Sequence, residues 1–499
     1  MSEKNVVTFE EALDRTGFGL YNYILVTGIG LITIAFVTVS YCTTIIIPAS
    51  ACELETTVTQ RGLLAAGPVV GLIIGGSLWG VLADLFGRRL MLFISLLAAA
   101  TINALSSISV NWIMLLGLQF IAALLASGQY SQAMTMLSES VPLAKRNIVV
   151  LIVSSFALLG QGVMTVLAIP IIPLKFSIYL PSLNIYWNSW RTLMIVYSIP
   201  SLISAAVIYA LEESPKFAYA RGNEAESLAI LRKIHRVNNR GTDKELQVEG
   251  IIKENVEKQA TNFKEQILPL FRKPLLKNTV IMTLLFVFQQ VGSFLIWLPT
   301  IANQFVQIVE TGEGTNQTLC GVLYKSLNAE ADPNVDPCSL NVTAMLIVLA
   351  MGAIQSVCNL LISLVINRVG RRNMVIIVAS VCGTCGILVN VVPNVIGSAI
   401  LFLVYLIGIV VTGLYAAMGV ALFPTYLRVF AVALTMTGGR IGTFASVQIL
   451  NYLLVNNCEV GFYTFAAMFT SSAVLAAFLV DDRRVFKNLQ KPSKGPHDL

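Results

Sequence analysis

Stretches of about 20 residues in which apolar side chains run almost unbroken follow one another along this chain, separated by short polar turns. A helix that crosses a hydrocarbon core needs roughly 20 such residues, because its backbone polar groups find no water there and must be satisfied within the segment. The pattern predicts twelve spans, at 24–47, 62–83, 90–109, 113–137, 147–171, 192–211, 279–301, 343–366, 373–393, 396–420, 429–454 and 461–480. One polar stretch is long, 212–277. It carries helical periodicity in AESLAILRKIHRV and KELQVEGIIKENVEKQA, which reads as short helices lying under the bundle and attracted to anionic lipid.

The expected organisation is an all-α membrane protein with both termini cytoplasmic: an N-terminal segment (1–23), a six-helix bundle (24–211), a cytoplasmic helical loop (212–277), a second six-helix bundle (278–480) and a tail (481–499). Composition sharpens this. At 56% hydrophobic, 12% charged and a mean hydropathy of +0.76, the chain lies outside the balance of soluble domains. Sidedness comes from Lys and Arg, which concentrate on the cytoplasmic face of membrane proteins. With the termini inside, 28 of the 33 basic residues fall on inward segments and 4 (Arg61, Lys175, Arg191 and Lys325) on outward loops. The N-terminal MSEKNVVTFEEALDRTGFG shows no signal-peptide pattern.

Cysteines agree with that orientation. Cys42, Cys358, Cys382 and Cys385 fall in spans, whereas Cys52, Cys320, Cys338 and Cys458 fall in loops assigned outside, where disulfides persist. Four cysteines allow three connectivities; Cys320 with Cys338 is the expected pair, and unpaired thiols are the alternative. Asn316 and Asn341 open glycosylation sequons on the same side.

The turn GVLADLFGRR (Gly80 to Arg89) returns as SLVINRVGRR (Ser363 to Arg372). Asp84 faces Asn367, Gly87 faces Gly370, and Arg88 and Arg89 face Arg371 and Arg372. One hairpin on, ESVPLAKR (ending at Arg146) matches ALFPTYLR (ending at Arg428), with Glu139 facing Ala421. Two motifs at almost one spacing indicate a parallel duplication of six-helix halves, as in secondary transporters.

G-x-L-A-D-x-x-G-R-R resembles the signature of the major facilitator superfamily. EEALDRTGFG, ESPKF followed by AESLAILRKIHRVN, and LFRKPLLKNT resemble the synaptic vesicle glycoprotein 2 and organic-ion transporter-like branch, in a short form lacking the large luminal domain. That resemblance implies a transporter whose site, where the halves meet, opens alternately to each side. Asp84, Gly87, Arg88, Arg89, Glu139, Arg146, Asn367, Gly370, Arg371, Arg372 and Arg428 would then form an inner gate, the first half dominating because it keeps the acids. The alternative is that the arginine pairs are only positive-inside anchors, which the topology requires in any case.

Polar residues deep in spans are the candidates for a substrate cavity. Arg440, with Thr443 on its helix face, favours an anion or else holds a helix interface. Gln290, Ser293 and Trp297 share a helix face at i, i+3 and i+7; the adjacent Gln289 and Gln290 resemble the paired glutamines of sugar porters, and an amide suits a polyol, though glutamines are also ordinary interhelical links. Gln119, Tyr130, Gln161, Gln355 and Asn359 complete the set. The acids that synaptic-vesicle relatives carry in span one are absent, with Phe36 and Val39 in their places, and DDRRVF replaces the sugar-porter motif after span twelve. Both histidines lie in cytoplasmic segments, which favours facilitated diffusion or exchange over proton symport.

No phosphate loop, metal cluster or catalytic constellation is present in the sequence, so neither an enzyme nor a cofactor is expected. The expected partners are a small-molecule substrate and the lipid bilayer, with no nucleic acid, and the chain is expected to be monomeric. The function expected is secondary transport of a small polar organic solute, an organic anion or alternatively a sugar or polyol. A transport-inactive vesicle or surface protein of the same fold, acting as receptor or scaffold, is the competing reading. Plasma membrane and vesicle membrane both fit.

Overall fold

The computed structural model describes residues 6–240, 246–252, 268–273, 275–310, 317–328, 341–423 and 428–479. They are almost wholly helical. Eleven helical stretches among them are long and apolar enough to cross a membrane. The predicted run at 429–454 is helical too, within Arg428–Asn456, but is not one of the eleven, since Thr435, Thr437, Gly438, Gly439 and Arg440 dilute its apolar character.

Eight of the predicted runs form continuous helices: α4 (Val58–Phe86), α5 (Arg88–Leu105), α8 (Leu143–Ala168), α9 (Ser189–Ala210), α15 (Val342–Val369), α16 (Arg371–Leu388), α19 (Arg428–Asn456) and α20 (Cys458–Ala477). The other four runs are interrupted. The first divides into α2 (Leu20–Ser40) and α3 (Thr43–Ser50), the fourth into α6 (Trp112–Ala126) and α7 (Gln129–Ser140). The seventh divides into α12 (Leu275–Phe288) and α13 (Val291–Glu310), and the tenth into α17 (Val395–Ile407) and α18 (Val411–Leu422) around a 3-10 turn at Gly408–Val410. The interruptions therefore recur with a period of three spans. Short elements complete the chain: α1 (Phe9–Arg15), α10 (Pro215–Ala220), α11 (Glu224–Asn238) and α14 (Leu319–Asn328), a two-residue strand β1 (Val6–Val7), a hairpin of β2 (Ile178–Leu180) and β3 (Ile185–Trp187), and β4 (Gly250–Ile251), which pairs in parallel with β1.

Two compact units are present. The first comprises Met1–Glu257, Ile296–Val306 and Glu330–Val357, the second Lys258–Leu295, Gln307–Ala329 and Cys358–Leu499. In the first, α4 presents Gly67, Gly71 and Gly75 at four-residue spacing to α6; a Cβ on Gly71 would stand 2.5 Å from the Phe120 carbonyl oxygen. Small residues let two membrane helices approach closely where lipid supplies no hydrophobic drive. In the second, Gly438, Gly439 and Gly442 bring α19 against α12 in the same way, at Thr283, Phe286 and Val287. Phe294 centres an aromatic core there with Phe402, Tyr405, Phe462 and Phe465, ring centroids 4.7 to 5.9 Å away.

Candidate functional site: charged turns and buried amides

Gly87 has a φ of 106°, open to glycine and strained for other residues, which lets α4 stop and α5 start within one peptide. The first backbone N–H groups of α5 then need acceptors. Glu213 supplies them, its carboxylate accepting from the N–H of Arg88 and of Arg89 at 3.1 Å. The Arg88 side chain is freed for charge pairing: Glu139 at 3.3 Å, Asp84 at 3.1 Å, and the Phe217 ring beneath it at 4.7 Å. Arg88 and Glu139 are each 14% exposed and Asp84 is 73% exposed, so Glu139 is the stronger partner. Ser214, which caps α10, donates to the second Glu139 oxygen at 2.5 Å. Arg89 turns elsewhere and donates to the Ile208 and Tyr209 carbonyls at the C-terminus of α9. Arg146 pairs with Glu10 of α1 at 2.7 Å.

The second unit repeats part of this. Gly370 has a φ of 88°, Arg371 donates to the Ala417 carbonyl at 3.0 Å, and Arg372 to Ala477 at the end of α20 at 2.6 Å. Asn367 lies near the end of α15 and Arg428 opens α19.

Buried amides cluster where spans break. Opening a helix leaves carbonyls without their usual partner, and in lipid these must be satisfied internally. At the seventh-span break, Gln290 donates to Val287 and accepts from Ser446 at 2.5 Å, and Ser446 also meets Ser293 at 2.5 Å. Gln289 donates to the Gly408 carbonyl at the tenth-span break at 3.1 Å, while its buried Oε1 has no partner among the described residues. At the fourth-span break Trp79 donates to Leu124 at 3.0 Å and Ser127 to the same carbonyl at 2.8 Å. Near the first, Cys42 meets Gln119 at 2.9 Å; Gln119 donates to Asn103 and Ser106, and Asn103 to Ser198.

The break changes one expectation. Gln290 lies outside both helices, so it does not share a continuous helix face with Ser293 and Trp297. Trp297 is buried, its Nε1 without an acceptor among the described residues. Tyr130 is half-buried with its ring centroid 6.1 Å from that of Phe36. Gln161 and Arg440 are half-buried, Gln355 and Asn359 buried, and Thr443 donates to Gly439 at 3.1 Å. Sequence reasoning missed Ser446, one turn from Thr443, and the glycine ladders, for which the G-x-x-x-G spacing was the available signal.

It also counted Arg191 as a loop cation. The side chain is 1% exposed, paired with Glu53 at 2.6 Å and donating to the Ser107 and Ser109 carbonyls. Glu53 further accepts from Trp190 at 2.6 Å.

The expected Cys320–Cys338 bridge is wrong. Cys320 is bonded to Cys458, 138 residues away, because α14 docks beside the start of α20 and brings the two Cα atoms to 5.6 Å. Cys52 is also disulfide-bonded. Cys338 and Asn316 lie outside the described residues; Asn341 lies just before α15, its N–H donating to Asn303.

The sequence profile of the Major Facilitator Superfamily matches residues 29–324, more than half of the chain. The chain belongs to this superfamily. Within it, similar proteins include the Synaptic vesicle 2-related protein of Xenopus laevis, 28% identical over 45% of this chain and 38% of that protein. Synaptic vesicle glycoprotein 2B of Homo sapiens is 25% identical over 46% of this chain and 34% of its own length; Solute carrier family 22 member 11 of Homo sapiens is 25% identical over 42% and 35%. The chain thus spans under half the length of these relatives. Their names agree with the branch that EEALDRTGFG and ESPKF indicated. Among solved structures, the xylose transporter XylE from E. coli in a partially occluded inward open conformation superposes with a TM-score of 0.65, at 17% identity, over 93% of this chain and 100% of that one. At that identity the likeness carries the fold alone.

Proposed function

We propose that this facilitator-superfamily protein is a secondary transporter that moves a small polar organic solute by alternating access. In this reading it has twelve spans in two six-helix halves, 24–211 and 278–480, with cytoplasmic termini, in a plasma or vesicle membrane. The observation that carries it is the set of buried amide and indole groups at the interrupted spans with hydrogen-bonding capacity left over. Gln289 Oε1, Trp297 Nε1 and both amide atoms of the buried Gln129 lack partners among the described residues. Buried polar groups are seldom left unmade, and a hydroxyl-bearing solute can donate to and accept from such groups. The Arg88–Glu139–Asp84 cluster and the Arg371 and Arg372 contacts serve as the cytoplasmic gate.

Arg440 supports an organic anion as the second reading, since a cation within a membrane helix is costly enough to mark function. Uptake by the purified protein in liposomes, across sugars, organic anions and organic cations, tests both. Gln289→Ala raising KM for a polyol supports the first, and Arg440→Ala selectively abolishing anion uptake supports the second. No uptake of any class and no ligand-induced thermal stabilisation would leave a receptor or scaffold of the same fold.

A further inference from the structure

A cavity of about 680 Å³ opens at the charged end of the first unit, where α4 and α9 stop and α5, α10 and α11 begin. Its walls differ in kind. The spans contribute Phe86, Leu90, Phe93 and Tyr209 as an apolar wall, and the charged rim is made by two guanidinium groups, Arg89 from the first turn of α5 and Arg221 from the end of the short helix α10. Phe86, Leu90 and Tyr209 are 57%, 48% and 66% exposed. The apolar wall does not end at the cavity: Leu90, Ile94 and Leu97, at helical spacing on α5, continue it as an exposed stripe along a membrane-spanning segment.

Arg89 and Arg221 each donate to helix C-terminal carbonyls, Arg89 to Ile208 and Tyr209, Arg221 to Leu85. These bonds hold the two groups in place and use part of the five donors each guanidinium carries. Glu213 also lines the cavity, but its carboxylate is taken by the N–H groups of Arg88, Arg89 and Ser214. The Glu226 carboxylate, which accepts from the Asn223 amide at 2.7 Å, lies on the same wall and opposes a doubly charged phosphate monoester more than a singly charged diester.

We propose that this cavity binds a bilayer phospholipid, its phosphodiester on Arg89 and Arg221 and one acyl chain along Leu90, Phe93 and the α5 stripe. A cationic rim above a lipid-facing apolar wall fits an amphiphile, and Arg donors fit phosphate oxygens. The site is separate from the proposed solute site, and its failure leaves the transport reading untouched.

The test is thermal unfolding of the purified full chain in detergent, titrated with phosphatidylglycerol, diacylglycerol or glycerol 3-phosphate. Phosphatidylglycerol should raise Tm saturably, and Arg221→Gln should raise its half-saturating concentration by about tenfold, the effect of one lost charge-assisted contact. Diacylglycerol lacks the phosphate and glycerol 3-phosphate lacks the chains, so neither should reproduce the response. Equal stabilisation by diacylglycerol overturns the phosphate contact, a full response to glycerol 3-phosphate overturns the lipid in favour of a soluble anion, and unchanged titration of R221Q overturns the site. If R221Q does not fold, Leu90→Gln reads the site from its apolar end and must likewise weaken the response.

Discussion

Arg89 and Arg372 make equivalent contacts in their separate units: each guanidinium donates to the last carbonyls of a helix, Tyr209 at the end of α9 and Ala477 at the end of α20. They occupy matching positions of the duplicated turn, so the repeat seen in letters is also a repeat in bonding. A cation there meets the negative end of the helix dipole and caps carbonyls that no helical N–H reaches. Arg89→Gln and Arg372→Gln should each lower stability by about 1 kcal/mol, read as a fall in Tm of the purified protein. An unchanged Tm in both would show the contacts contribute nothing.

The charge cluster at Arg88 ranks its acids. Removing Glu139 leaves a mostly buried guanidinium short of its main partner, whereas Asp84 is a surface pair worth about 0.5 kcal/mol or less. Glu139→Gln should therefore slow uptake and destabilise the protein more than Asp84→Ala does. A double-mutant cycle of Arg88→Ala with Glu139→Ala should give a coupling of about 1 to 2 kcal/mol. Equal effects at Asp84 and Glu139 would reverse this ranking.

Much of this was legible in the sequence and some was not, for physical reasons. Hydropathy marks where a chain must be helical to enter lipid, and charge bias and the repeated GRR turn follow from the same pressure. Glycine at 87 and 370 announced the turn because few other residues adopt its φ. The interruption at Gln289 and Gln290 left no trace in hydropathy, since a broken span is as apolar as an intact one. Arg191 was assigned to a loop but lies in the first turn of α9, and nothing along the chain announces its ion pair with Glu53, 138 residues earlier. The Cys320 partner was misjudged for the same reason: nearness along the chain is a poor guide once α14 docks against α20.

Close approach of α4 and α6 depends on glycine at 71. Gly71→Ala places a methyl 2.5 Å from a backbone oxygen and 2.8 Å from the Leu124 nitrogen, so the helices must part, at about 1 to 3 kcal/mol. Gly117→Ala on α6 meets nothing within 4 Å and should be neutral or slightly stabilising. Comparable losses of Tm in the two variants would mean that packing at 71 is not the cause.

Replacing Cys320 with Ser should release one thiol, at Cys458, in addition to the four that Cys42, Cys358, Cys382 and Cys385 already offer to maleimide in the denatured unreduced protein. The pair Cys320→Ser with Cys458→Ser should release none. Loss of the bridge should cost about 2 to 5 kcal/mol, given the length of chain it closes. Labelling of Cys338 in the single variant would contradict the pairing.

Gln290 and Ser446 belong to one hydrogen-bonded group, so Gln290→Ala and Ser446→Ala should be non-additive in Tm by about 0.5 kcal/mol or more. Additive effects would place Gln290 outside that group and return it to the solute-binding candidates.

The interruptions in every third span have a mechanical consequence. Flexing a continuous helix such as α4 or α16 in lipid opens backbone bonds that cannot be replaced from solvent, at several kcal/mol for each exposed group. At Gln289–Gln290 the ladder is already open and the Val287 carbonyl is held by the Gln290 side chain, which can rotate with it; at Gly408–Val410 the ladder tightens to a 3-10 turn whose Gly408 carbonyl also accepts from Gln289. Stiffness is therefore unevenly distributed along the chain: two rigid rods follow each jointed one, and deformation of the protein should gather at the joints.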